Sequence, residues 1–152
     1  MQIELFTLPE KQIDTSKPII DVFTDGATEG VNDRSLTTHI GIGVFIPQID
    51  VHYSERLEGI SNNEAEYEAV LAGMKILIEE GYDQARFFCD SNIVVYGASG
   101  RSPKKTKHKK MQEYREKCRE LREAFSYIDF TWIPRDKNYE ADRLSKLNLI
   151  KG

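Results

Sequence analysis

Four acidic residues stand in four separate segments of this 152-residue chain, in settings that do not suit surface charges. Asp25 follows the apolar run IIDVFT, Glu66 lies in SNNEAEYEAVLAGM, Asp90 follows ARFFC, and Asp142 lies in NYEADRLSKL. Carboxylates that converge from distant positions are what a hard divalent cation requires. Mg²⁺ takes oxygen ligands, and it is usually held by one or two carboxylates together with waters and substrate phosphates. A larger cluster can seat two ions about 4 Å apart, bridging the attacking and leaving oxygens of a phosphodiester.

The four differ in how strongly their surroundings argue for this. Steps of three and four from Glu66 reach Ala69, Val70, Gly73 and Leu77, an apolar stripe, so a helix here turns Glu66 inward. A buried carboxylate must be paired, protonated or bound to a cation. A capping box is an alternative for such a glutamate, but Ser61 and Glu64 fit that box better. Asp25 before Gly26 reads equally as an ordinary Asp-Gly turn. Asp90 before Ser91 and Asn92 reads as a helix N-cap. Asp142, near the edge of the Ala141, Leu144 and Leu147 stripe, reads also as a solvent-facing acid near a helix N-terminus. Taken as a set, they point to one metal site.

The elements that must position these acids follow from periodicity and punctuation. Residues 19–25 read as a strand ending in a turn at Gly26, and residues 39–47 and 51–58 as an antiparallel hairpin. Residues 62–80 read as a helix stopped by Gly81, 84–89 as a short buried strand and 91–99 as a short helix. A charged amphipathic helix over 106–125 carries Met111, Tyr114, Cys118, Leu121 and Phe125 on one stripe. Residues 127–133 alternate as a strand closed by Pro134, and 138–148 form the last helix. Three strands in a meander, then strands alternating with helices, specify an α/β fold: a five-stranded mixed sheet, antiparallel meander plus parallel strands, with helices on both faces. Sites in such sheets form at the carboxyl ends of strands. Asp25 and Asp90 become neighbours there if their strands are adjacent and parallel. Residues 1–18 read as an N-terminal extension and 19–152 as a single domain.

A chain of this size buries roughly two-thirds of its unfolded surface, so it needs no staples. No apolar run approaches the ~20 residues of a membrane span, and MQIELFTLPEKQ lacks the pattern of a secretory leader. Cys89 and Cys118 have no CxxC spacing, which suits a reducing compartment and gives no zinc site. The expected location is the cytoplasm, and the expected state a monomer. The net charge of −4 divides unevenly. Residues 101–110, RSPKKTKHKK, hold six Lys or Arg and no acid, leaving 15 basic against 25 acidic groups elsewhere, a net −10. The run is either a solvated loop or a phosphate-facing patch. His39 and His52 lie in strand-like segments and read as structural.

Four blocks together carry a family resemblance. Thr24-Asp25-Gly26-Ala27, Asn62-Asn63-Glu64-Ala65-Glu66-Tyr67, Asp90-Ser91-Asn92 and Asn138-Tyr139-Glu140-Ala141-Asp142-Arg143-Leu144 resemble, in order and spacing, the signature blocks of type 1 ribonuclease H, over about residues 19–148. The resemblance implies the ribonuclease H-like fold and an endonuclease that hydrolyses the RNA strand of an RNA–DNA hybrid with Mg²⁺, or Mn²⁺, two ions per site when substrate is bound. It places the metal-binding carboxylates on Asp25, Glu66, Asp90 and Asp142. It also implies hybrid contacts at Gly26, Asn62, Asn63 and Asn92, and a DNA-strand phosphate at Ser61 and Asn63. Short amides suit the wide minor groove of a hybrid, which displays 2′-hydroxyls.

The chain departs from the family pattern in three ways. The loop before Asp142 is only Pro134-Arg135-Asp136-Lys137-Asn138 and has no His, which resembles a shorter branch with Arg and Asn there. Arg135 is then a candidate for phosphate or for Asp142. The Trp-rich basic protrusion of some bacterial members is absent; RSPKKTKHKK is shorter and could replace it only in part, with Lys104, Lys105 and Thr106 as candidate phosphate contacts. Residues 1–18 are too few for a separate hybrid-binding module and do not read as one. Two alternatives remain open: another metal-dependent nuclease of resolvase or exonuclease type, and a non-catalytic nucleic-acid-binding module on the same fold. Exonucleases of this broad class show Asp-x-Glu on the first strand, where this chain reads Asp25-Gly26-Ala27.

Overall fold

Strand alternation sets the centre of the molecule. The computed structural model describes residues 13–29, 38–101 and 106–150. In β1, Ile20–Thr28, the buried residues Ile20, Val22 and Thr24 point to one face. β1 pairs antiparallel with β2, His39–Ile46, which pairs antiparallel with β3, Val51–Glu58. The turn between β2 and β3 is a short 3₁₀ segment, Pro47–Ile49, followed by Asp50 in the left-handed region (φ 55°). On its other side β1 pairs parallel with β4, Gln84–Cys89, and β4 pairs parallel with β5, Tyr127–Trp132. The sheet order is β3-β2-β1-β4-β5, the mixed sheet that the sequence specifies.

The first strand does not stop at Asp25. It continues to Thr28, with Asp25 opposite Gly43 and Gly26 opposite Ile42. What stops is its parallel pairing with β4, whose last partners are Phe23 and Phe88. The Asp-Gly pair therefore lies inside an antiparallel ladder on one side and beyond a parallel one on the other. That places Asp25 at the carboxyl edge without a turn.

Helices cover both faces. α1, Asn62–Glu80, starts at Ser61, whose hydroxyl accepts from the Glu64 amide at 3.2 Å, and stops at Gly81 in the left-handed region (φ 86°). Glu64 closes the cap on the amide of Ile60 (3.3 Å), one residue before the position a standard capping box uses. The α1 stripe packs on β1 and β4: a Cβ added to Gly73 would lie 2.9 Å from Phe87 and 3.0 Å from Val22. α2, Asn92–Ser99, and α3, Lys109–Arg122, complete this layer, with Val94, Val95, Ala98, Tyr114 and Cys118 buried in the same core. α3 is shorter than the sequence stripe implies, although Phe125, beyond its end, is still buried. Each fully buried aliphatic or phenyl side chain contributes roughly 1.5–3 kcal/mol.

α4, Tyr139–Leu147, follows a short 3₁₀ turn at Arg135–Lys137 and lies on the opposite face. Gly43 of β2 makes room for it: a Cβ there would sit 2.2 Å from the Ala141 carbonyl oxygen and 2.6 Å from the Ser145 nitrogen. Since Gly43 is the cross-strand partner of Asp25, Asp25 shares the α4 face of the sheet.

Cys89 and Cys118 are free and buried, and burial pushes both thiols up to about 12. Among the described residues, no helix is long and apolar enough to cross a membrane.

Candidate active site

The carboxyl edge of β1 and β4 gathers the acids. Asp25 is 5% exposed in β1, Glu66 projects from the second turn of α1, and Asp90 follows the last residue of β4. One oxygen from each lies within 4.8 Å of the others. Among the described residues, this trio is the one group of such ligands that could hold a metal ion.

The main-chain amide of Gly26 fastens the first two. It donates to Asp25 Oδ1 at 2.9 Å and to Glu66 Oε1 at 2.7 Å. This requires α1 to start hard against β1. A Cβ on Gly26 would lie 2.3 Å from the Ala65 carbonyl carbon, so no larger residue fits. Asp90 is not the helix cap that its sequence context allows. Ser91 takes that role, accepting from the Val94 amide at 3.4 Å, and the Asp90 carboxylate stays in the cluster.

Burial and mutual repulsion dominate the electrostatics. The carboxyls of Asp25 and Glu66 are pushed well above the ordinary carboxylate range, first by burial, then by neighbouring acids. Asp90 is raised as well, by burial, with the Arg135 charge opposing. A metal-free cluster of this kind retains a proton near neutral pH. Oxygen donors this close and this short of counter-charge fit a hard divalent cation, which would supply the missing positive charge.

Asp142 stands apart from the trio while lining the same cleft, of about 490 Å³. Burial raises its carboxyl, but a hydrogen bond with Asp25, then Lys146 and Arg135, outweigh that and leave it below the usual value. Lys146 Nζ approaches at 3.2 Å and Arg135 at 3.6 Å. So the fourth acid is balanced by two cations, whereas Asp25 and Glu66 have none beside them and Asp90 feels only Arg135.

Six of the remaining candidates divide between two clefts. Gly26, Asn62 and Arg135 line the acidic one. Ser61, Asn63 and Thr106 line a second, of about 400 Å³, together with His108 and Arg115. Asn92 is exposed at the first turn of α2 and is not among the residues lining either cleft. Lys104 and Lys105 lie outside the described residues. The acidic cleft also contains Thr28, Trp132 and Lys146, which the sequence did not single out. Lys146, four residues after Asp142, carries a signal in i,i+4 spacing. Trp132 ends β5, and its exposure is not readable from an alternating strand.

The family model described as reverse transcriptase-like matches residues 47–148. The bifunctional protein Rv2228c of Mycobacterium tuberculosis is 35% identical over 85 residues, spanning 56% of this chain and 23% of that protein. The chain thus matches less than a quarter of the length of this curated relative. The crystal structure of LC11-RNase H1, a protein isolated from compost, in complex with an RNA/DNA hybrid superposes with a TM-score of 0.71 at 26% identity, covering 86% of this chain and 96% of that one. RNase H1 of the halophilic archaeon Halobacterium salinarum NRC-1 has the same fold: TM-score 0.70, 23% identity, 85% and 96% covered.

Proposed function

The chain belongs to the reverse transcriptase-like family, and we propose that it is a ribonuclease H: an endonuclease that hydrolyses the RNA strand of RNA–DNA hybrids with divalent metal ions. The observation that carries this reading is the convergence of Asp25, Glu66 and Asp90 from three elements at the carboxyl edge of parallel neighbours. The likeness to an RNase H1 bound to a hybrid supports the substrate.

In this reading Asp25, Glu66 and Asp90 would hold Mg²⁺, with Mn²⁺ as a substitute, as two ions when substrate is bound. When bound, such cations would supply an activated water and stabilise charge on the phosphate. Asp142 joins them as the fourth acid, shielded meanwhile by Lys146 and Arg135. Asn62, on the α1 side of the cleft, offers an amide to a ribose hydroxyl, and Gly26 holds Asp25 and Glu66 in register. Ser61, Asn63 and Thr106, lining the neighbouring cleft, take a phosphate. Lys104 and Lys105 belong to the basic run that draws in the polyanion. Two buried, unpaired thiols agree with a cytoplasmic setting.

Cleavage of end-labelled RNA–DNA, RNA–RNA and DNA–DNA duplexes of one sequence, with and without Mg²⁺, tests this. Cutting confined to the RNA of the hybrid and dependent on Mg²⁺ is the expected result. Equal cutting of the DNA duplex overturns it.

A further inference from the structure

We propose that Trp132 is a substrate-positioning residue: its indole face carries the sugar edge of the RNA strand beside the scissile position. The inference rests on the ribonuclease H reading and assigns a contact within it.

Trp132 is the only tryptophan in the chain. It is the last residue of β5, and it is 47% exposed, whereas Phe130, two residues earlier on the same face, is 3% exposed in the core. The large apolar surface is therefore not absorbed by packing. Nor is it a loose surface ring. Its Nε1 donates to the main-chain oxygen of Asp90 at 3.1 Å. That bond satisfies the polar edge of the indole and fixes the ring beside a member of the acidic trio, while leaving surface open to the same cleft. A ring already held in place loses little freedom when a ligand covers it.

Strand order tells what the ring would meet. Glu66 sits over β1, Asp90 ends β4, and Trp132 ends β5, so the ring lies across Asp90 from Glu66. Neighbouring strands are ~4.8 Å apart. A strand whose phosphate rests on the acids thus places an adjoining nucleotide over β5. The charged neighbours, Arg135 and Lys146, suit phosphate. Trp132 is the large apolar member of this cleft. In a duplex the bases are stacked away, so the apolar surface a backbone offers is the sugar edge. Contact with an aromatic face is tolerant of sequence, which suits an enzyme that must cut many hybrids.

Because Trp132 is the sole indole, emission reads this contact directly. The full chain carrying Asp25→Asn, which keeps Trp132, is titrated in Mg²⁺ with an RNA–DNA hybrid whose DNA bears a label for anisotropy. The expected result is a saturable change in tryptophan emission with the same midpoint as the anisotropy. In steady-state cleavage, Trp132→Ala raises KM roughly tenfold, the order expected for a lost aromatic contact, with kcat little changed. Trp132→Phe, which lacks the N–H but keeps a ring, recovers most of it. Flat emission while anisotropy saturates overturns the inference. So does a fall in kcat at unchanged KM, which would make Trp132 a support for Asp90 only. If Trp132→Ala does not fold, the emission titration still decides, since it uses a chain that retains the ring. Wild-type protein that cuts no hybrid would remove the ribonuclease H reading itself. The binding titration, which needs no cleavage, separates that failure from a failure at Trp132.

Discussion

The side-chain amide of Asn138 donates to the main-chain oxygen of Thr24 at 2.9 Å, and both residues are buried. Thr24 precedes Asp25, and Asn138 is the residue on which α4 begins. The Asp142 amide donates back to the Asn138 carbonyl at 3.0 Å. One buried bond thus sets the distance between the strand that carries Asp25 and the helix that carries Asp142.

Asn138→Ala removes that bond and leaves the Thr24 carbonyl buried without this donor, at a cost of roughly 1–3 kcal/mol. Urea unfolding followed by circular dichroism should show this loss. In folded protein kcat should fall more than KM rises, because Asp142 loses its register with Asp25.

Asp25→Asn and Asp90→Asn each reduce cleavage by more than about a hundredfold, since loss of a mere outer partner of a metal ligand already costs 10- to 100-fold. Asp25→Asn also relieves repulsion in the metal-free cluster, so its thermal midpoint in EDTA should equal or exceed that of the wild type. Near-native cleavage by either variant would remove the site assignment.

Protons and Mg²⁺ compete for the trio. Folding raises the proton affinity of Asp25 and Glu66 from unfolded values near 4. The metal-free fold then holds protons that the unfolded chain has released. Their contribution to stability is complete below about pH 4 and is lost as pH rises through the folded values. His52, raised by Glu140 and then Asp50, acts with the same sign from its own unfolded value near 6.5. Midpoints in EDTA should therefore fall between about pH 5 and pH 8, with a shallower slope in Asp25→Asn. With metal the order reverses: the Mg²⁺ needed for half-maximal cleavage should rise as pH falls.

Gly43→Ala drives a methyl group into the backbone of α4 at Ala141 and Ser145. Overpacking of this kind costs about 1–3 kcal/mol. The displaced helix carries Asp142, so activity should drop further than the midpoint alone explains. Differential scanning fluorimetry beside cleavage rates measures both.

Replacing Lys104, Lys105, Lys107, Lys109 and Lys110 by Ala should weaken hybrid binding and flatten its salt dependence. Each lost phosphate contact removes about 0.9 from the slope of log affinity against log salt. An unchanged slope would make the run a solvated loop.

The sequence made some of this site plain and hid the rest for physical reasons. Glu66 was legible because helical periodicity puts it on the stripe of Ala69, Val70, Gly73 and Leu77, all buried in the fold. The turn expected at Gly26 is strand instead, because an Asp-Gly pair carries the same local signal in a turn and in an antiparallel strand. Only the pairing with Gly43 and Ile42, a tertiary fact, separates them. The cap at Ser91 in place of Asp90 is decided by which oxygen the Val94 amide faces, and neighbouring good capping residues are equivalent in sequence. The salt-bridged state of Asp142 depends on Arg135 and Lys146 closing around it from a 3₁₀ turn and a helix. The exposed ring of Trp132 depends on where β5 ends relative to β4.

The order of strands has a consequence for folding kinetics. β2 and β3 form a hairpin across a four-residue turn, Pro47 to Asp50, and such local pairing closes quickly. β1 and β4 pair as parallel neighbours over a long stretch of chain, Ile20 with Ala85, and such non-local pairing is expected to close more slowly than the hairpin. An intermediate with the hairpin and α1 docked on β1 would already own Asp25 and Glu66, and it would lack Asp90. Such a species would lack a complete acidic cluster, and recovery of cleavage after dilution from denaturant should then lag behind recovery of helical signal.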